Sequence, residues 1–232
     1  MSKIFIIGLP RTGTTSISVA LLELGFLVAH TAFTKKAFEV AEAISDAPCF
    51  SDYQHLDELF PNSKFIYLSR NMDEWVPSIT MLLEKMAPHL EPKIGYFNPI
   101  LKRSFHHTFS PTLPLSANEL IDCYQRHQQA VFEYFKDRDD LLSIDVSEQG
   151  SLLKMKKFLG VDAQGREDFP KLNAGRNVAN WKEYKHPNKV NSNLAGIEHR
   201  KYFDYEFVSY NDSIISSQTL SNPASHTKDP AS

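Results

Sequence analysis

The chain has 232 residues, 42% apolar and 23% charged, with a formal net charge of −3 at pH 7. That composition is ordinary for a globular protein with a sizeable core and excludes a broadly basic face for nucleic acid. No apolar run approaches the roughly 18 residues of a membrane span, so no membrane partner is expected. Cys49 and Cys123 lack metal-ligand or redox spacing and read as buried thiols of a reducing compartment. With no secretory leader ahead of the first apolar run, a cytoplasmic location is expected.

Ile4-Phe5-Ile6-Ile7 reads as a strand, Gly8 to Gly13 as a tight loop, and the following segment as a helix with Ile17, Ala20, Leu21 and Leu24 on one face. A strand, a glycine-bounded loop and a helix start turn successive backbone N–H groups towards an anion, and the helix adds its partial positive charge. The spacing fits G-x-x-x-x-G, yet Thr14 and Thr15 follow where a nucleotide triphosphatase carries Lys and Ser or Thr. Positive charge is supplied inside the loop by Arg11, with hydroxyls at Thr12, Thr14, Thr15 and Ser16. The stretch is a phosphate-binding loop without the lysine of a kinase.

Phe26–His30 reads as a second short strand, Phe33–Ser45 as a helix, and Ala47–Asp52 as a strand ending on a carboxylate. Tyr53–Phe60 is a short helix, and Lys64–Ser69 a strand with Arg70 at its end. Asp73 opens a helix capped at Asn71 or Met72, with Pro77 in its early turns. Residues 88–114 carry five prolines and scattered aromatics and read as a long irregular insert or lid. Its adjacent His106 and His107 point apart on any regular element, and no metal site is expected. Ser116 with Glu119 forms a capping box for a helix to about Asp137. Leu141–Asp145 is a final strand, and Ser151–Leu159 a helix stopped at Gly160.

Residues 1–208 are expected to form one domain, with Ile197–Val208 a helix on the sheet. Ser209–Ser232, poor in large apolar residues, reads as a disordered tail. Strands alternating with helices predict a three-layer α/β/α fold around a parallel sheet. Ligands of such sheets bind beyond the strand C-termini, so Gly8–Ser16, His30, Asp52 and Arg70 are expected on one rim.

Three stretches together carry a family resemblance. Leu9-Pro-Arg-Thr-Gly-Thr-Thr-Ser16 resembles the 5′-phosphosulfate loop of sulfotransferases that use 3′-phosphoadenylyl sulfate (PAPS). Phe65-Ile-Tyr-Leu-Ser-Arg70, followed eight residues later by Ser78, resembles their 3′-phosphate site. Leu141–Ser147 and Met155–Val161 resemble the late strand and helix before their third cofactor segment. The resemblance spans roughly residues 3–184 and implies a P-loop NTPase-like sulfotransferase fold.

It implies that PAPS is the donor. Its 5′ end would be held by the backbone of Thr12–Ser16 and the hydroxyls of Thr14, Thr15 and Ser16. Arg11 would stabilise charge on the leaving phosphate oxygen. Arg70 and Ser78 would bind the 3′-phosphate. Asp52 is the first choice for the base that deprotonates a small-molecule acceptor, with His30 and His55 as alternatives. Of the third segment, Trp181-Lys182 is kept, Ala179 replaces an expected glycine, and Arg176 is a further 3′-phosphate candidate. Trp75 and Trp181 read as core residues before adenine-stacking ones. Phe97, Phe105 and Phe109 of the insert suggest an apolar or aromatic acceptor. The rival readings are a nucleotide or small-molecule kinase and a non-catalytic nucleotide-binding module.

Overall fold

The computed structural model describes residues 2–110, 114–169 and 181–195. Five strands, β1 (Ile4–Ile6), β2 (Val28–Ala29), β3 (Ala43–Ser45), β4 (Lys64–Leu68) and β5 (Leu141–Ile144), form a sheet in the order β2-β3-β1-β4-β5. Every pairing is parallel, with Ile6 opposite both Ser45 and Ile66, and Leu68 opposite Ile144. The described helices are α1 (Thr14–Glu23), α2 (Lys35–Val40), α3 (Cys49–Leu59), α4 (Met72–Leu90), α5 (Pro99–Phe109), α6 (Ala117–Tyr134) and α7 (Ser151–Leu159).

Side chains alternate across the pleat, and both faces are covered. Ile4, Ile6, Ile66 and Leu68 pack with Ile17 and Leu21 of α1 and Leu152 and Met155 of α7. On the opposite face Phe5 meets Phe60, Phe65 meets Phe135, and Tyr67 stacks on His127 of α6. The expected α/β architecture with a central parallel sheet is present. Because all strands run one way, their C-termini share one edge. Gly8, His30, Asp46, Arg70 and Val146 follow the five strand ends there.

Three segments differ from the sequence reading. The expected helix 33–45 is only α2, followed by β3. Ala43, Ile44 and Ser45 are buried between β1 and β2, and three buried residues outweigh the local helix preference of Ala and Glu. The expected strand 47–52 is a turn through Asp46 and Ala47-Pro48 into α3. The 88–114 insert is mostly regular: α4 continues through Pro77 and Pro88 to Leu90, and α5 occupies 99–109. Asn98 caps α5 through its side chain, Pro99 takes the first turn, and Ile100, Ser104, Phe105 and Phe109 form its buried face. Those signals were in the sequence, masked by the proline count.

Elsewhere the reading holds: Asn71 caps α4, the Ser116–Glu119 capping box opens α6, and α7 ends at Gly160 in the left-handed region. Arg176, the expected helix 197–208 and the tail 209–232 lie outside the described residues. Among the described residues no helix is long and apolar enough to cross a membrane.

Candidate active site

The loop between β1 and α1 is shaped by two positions with positive φ, Arg11 at 72° and Gly13 at 109°. Gly13 fits closely as well: a Cβ there would stand 2.5 Å from Cγ2 of Val146. At the strand end, a Cβ on Gly8 would stand 2.6 Å from Cβ of Leu68, so only glycine lets β1 pass β4 at this point. The Thr12 hydroxyl and amide both donate to the Leu9 carbonyl, at 2.6 and 3.3 Å. Thr12 therefore closes the loop on itself. Among the described residues no side chain caps α1, and its first turn holds no acid. The amides of Thr14, Thr15 and Ser16 are thus the orphan donors of a helix start.

Helix α4 locks this loop from one side. Trp75, fully buried against Tyr124, donates Nε1–H to the Pro10 carbonyl at 3.0 Å. One turn on, Ser78 Oγ accepts from Arg11 Nε at 2.8 Å. Arg70, anchored by its own N–H to Tyr124 Oη at 2.9 Å, reaches back and donates Nη1–H to the Arg11 carbonyl at 2.8 Å. Its other face meets the exposed Glu74 carboxylate at 3.3 Å. Burial first, and then the neighbouring Arg70 charge, holds the Arg11 pKa below its usual value. Two guanidiniums beside uncapped amides make a pocket of positive potential suited to phosphate or sulfate oxygens.

The other side of the loop has a different chemistry. Asp46 ends β3 with φ 58°, and its Oδ1 accepts from the Ala47 N–H at 2.9 Å. Its Oδ2 lies 3.7 Å from His30 Nε2, the two side chains being 18% and 15% exposed. His30 Nδ1 sits 2.8 Å from Ser45 Oγ, which is 2.8 Å from Ser18 Oγ, and Ser18 donates to the Thr14 carbonyl at 2.7 Å. A polar chain therefore runs from β2 and β3 to the first turn of α1. Burial lowers the His30 pKa to about 4, with the Lys189 charge adding to the effect, so the imidazole is neutral at pH 7. Burial raises the Asp46 pKa to about 6, opposed by the Ala47 N–H and by Arg11.

The segment 186–192 runs beside β2, its Asn188 and Val190 bonding to Val28. It brings Trp181 to 5.1 Å from the His30 ring, with Lys189 Nζ 4.3 Å above the indole.

Several expected residues are therefore together: the loop 8–16, Arg70, Ser78 and His30. Ser78 bonds Arg11, an arrangement the sequence did not suggest. Asp52 does not end a strand. It lies within α3, bonded to Ser51 Oγ and paired with Arg103 of α5, so its carboxylate ties two helices together. The strand-end position belongs to Asp46, which is hidden in the sequence because Ala43–Ser45 reads as the end of a helix. The available signal is Ser-Asp-Ala-Pro directly after the apolar pair Ala43-Ile44, a turn signature. His55 is exposed midway along α3. Trp75 is core, and Trp181 packs partly buried at the core edge. Phe105 and Phe109 are buried in the core beside Phe50, and Phe97 packs at its margin, so none of the three forms an open aromatic wall. The His106-His107 pair occupies the last turn of α5. An apolar cavity of about 270 Å³ lies between α4 and α6, lined by Thr80, Leu83, Glu84, Pro114 and Leu120 among others.

A sulfotransferase domain model matches residues 3–34 and 31–178, well over half of the chain. A comparison of the chain with curated proteins finds no match. A glycine-bounded loop between strand and helix, met by the arginine that follows β4, agrees with the sulfotransferase match, and the chain belongs to the sulfotransferase domain family.

Proposed function

We propose that this sulfotransferase takes its sulfuryl group from PAPS and passes it to a hydroxyl or amine of a small molecule. The observation that carries the reading is the 2.8 Å bond from Arg70 Nη1 to the Arg11 carbonyl. It brings the second guanidinium beside Arg11 at the loop, and although exposed Glu74 meets the other face of Arg70, two like charges side by side favour an anionic ligand between them. A nucleotide anionic at its 5′ and 3′ positions meets that requirement. When bound, PAPS supplies an activated sulfuryl group on a phosphate leaving group.

The protein's part is positioning and charge stabilisation. The amides of Thr14–Ser16 and their hydroxyls hold the 5′ end. Arg11, oriented by Ser78, would stabilise the charge that develops on the leaving phosphate oxygen. Arg70 binds the 3′-phosphate, and the Ser78 hydroxyl retains a proton for the same ligand. The location proposed is the cytoplasm.

A kinase would need a lysine at position 14, where Thr14 stands. Thermal melting separates the classes. Adenosine 3′,5′-bisphosphate should raise Tm without Mg²⁺. Stabilisation by ATP with Mg²⁺ and none by the bisphosphate would establish the kinase reading instead. Bisphosphate binding without sulfuryl transfer to any of a broad acceptor panel would leave a non-catalytic module.

A further inference from the structure

We propose that the Asp46 carboxylate takes the acceptor's proton during sulfuryl transfer, a role that rests on the sulfotransferase reading above. Asp46 occupies the C-terminal end of β3, the strand next to β1, so its side chain stands on the same rim as the phosphate loop. Arg11 from the loop and His30 from the end of β2 flank it. Its backbone is fixed on both sides, by Cys49 N–H to the Asp46 carbonyl at 2.7 Å and by Ala32 N–H to the Ala47 carbonyl at 3.2 Å. Oδ1 accepts from the Ala47 N–H, while Oδ2 lies towards His30 on a side chain that keeps some exposure to solvent.

The charged and titratable groups around it all bear on that role. Arg11 is the positive neighbour, His30 is neutral at pH 7, and the Lys189 charge adds to the lowering of the His30 pKa. Cys49 of α3 is buried and stays a thiol, its pKa raised by burial and then by Asp52 and Asp46. Asp52 is tied to Arg103. A carboxylate titrating near 6 is ionised at neutral pH yet basic enough to accept a proton in a transition state.

The acceptor oxygen forms a new S–O bond while the S–O bond to the 5′-phosphate breaks. The bond's electron pair stays on the phosphate oxygen, whose charge Arg11 would stabilise. The acceptor's proton passes to Asp46 and then to solvent.

The test combines transfer from labelled PAPS, at saturating donor, with stabilisation by adenosine 3′,5′-bisphosphate. Asparagine keeps the acceptor for the Ala47 N–H and tolerates positive φ. Asp46→Asn should therefore retain the bisphosphate-induced shift in Tm and lose transfer by about 10²–10⁴-fold. The wild-type rate should rise about tenfold per pH unit below about 6 and level off above it, and the residual rate of Asp46→Asn should lack that limb.

Wild-type rates in Asp46→Asn would overturn the assignment, as would the same loss appearing in Asp52→Asn instead. Should Asp46→Asn fail to fold, the wild-type profile decides: a flat rate from pH 5 to 8 rejects the proposal. If the wild type neither binds the bisphosphate nor transfers sulfuryl, the donor reading falls first, and this assignment with it.

Discussion

The two halves of the rim are built from opposite chemistries. On the α4 side, Arg11, Arg70 and Ser78 are joined by hydrogen bonds of 2.8 Å and remain partly open to solvent. On the β2–β3 side, Ser18, His30, Ser45 and Asp46 form a mostly buried chain with a neutral imidazole and a carboxyl of raised pKa. The difference follows from what each half is suited to hold. Fixed positive charge needs an anion and is stabilised when one arrives. A chain of weakly titrating groups suits a proton that must move. Both halves meet at the start of α1, where anion and transferred group would lie together.

Breaking the cationic half should have the largest effect. Arg11→Ala removes the charge at the leaving oxygen and should lower kcat about 10²–10³-fold, with some nucleotide binding retained. Steady-state kinetics with PAPS would show it, and an unchanged kcat with raised KM would mean Arg11 only binds. Gly13→Ala attacks the shared hinge, forcing a Cβ onto Val146 at positive φ, and should cost about 1–3 kcal/mol in denaturant unfolding. Ser78→Ala sharpens the comparison, since it leaves both charges while freeing the Arg11 side chain and removing one hydroxyl donor to the nucleotide. A loss of about tenfold in kcat is expected, matching one hydrogen bond to a charged group.

A buried histidine outside the rim provides the control. His127 of α6 bonds the Phe50 carbonyl through Nε2, while its buried Nδ1 has no hydrogen-bond partner among the described residues. Burial lowers its pKa to about 4 against the bonding to Phe50. The unfolded chain then binds more protons between pH 6.5 and 4, so stability present above 6.5 falls as the pH drops through that window. His127→Gln should be less stable at pH 7 and lose less on acidification, by up to about 3 kcal/mol. Urea unfolding at pH 7 and pH 4.5 would show it. The pH dependence of transfer should not follow His127.

Legibility in the sequence tracked the reach of local signals. The strand, glycine-bounded loop and helix at 4–23, the position of Arg70 after β4, the caps of α4 and α6 and the stop at Gly160 each depend on residues within a few positions of one another. β3 was illegible because three residues between two strands show no period, and their strand character comes only from burial. Misplacing β3 moved the strand-end carboxylate from Asp46 to Asp52. The bonds from Arg11 to Ser78 and from Arg70 to the loop join residues 67 and 59 positions apart, a distance over which one sequence carries no pairing signal.

The central claim is that Arg70 and the phosphate loop grip opposite ends of one nucleotide. Calorimetric titration of wild type and Arg70→Ala with adenosine 3′,5′-bisphosphate and with adenosine 5′-phosphate tests it most directly. The account predicts that the wild type prefers the bisphosphate by about 10–100-fold and that Arg70→Ala abolishes the preference while binding adenosine 5′-phosphate as before. An equal loss for both ligands, or a preference that survives the substitution, would contradict it.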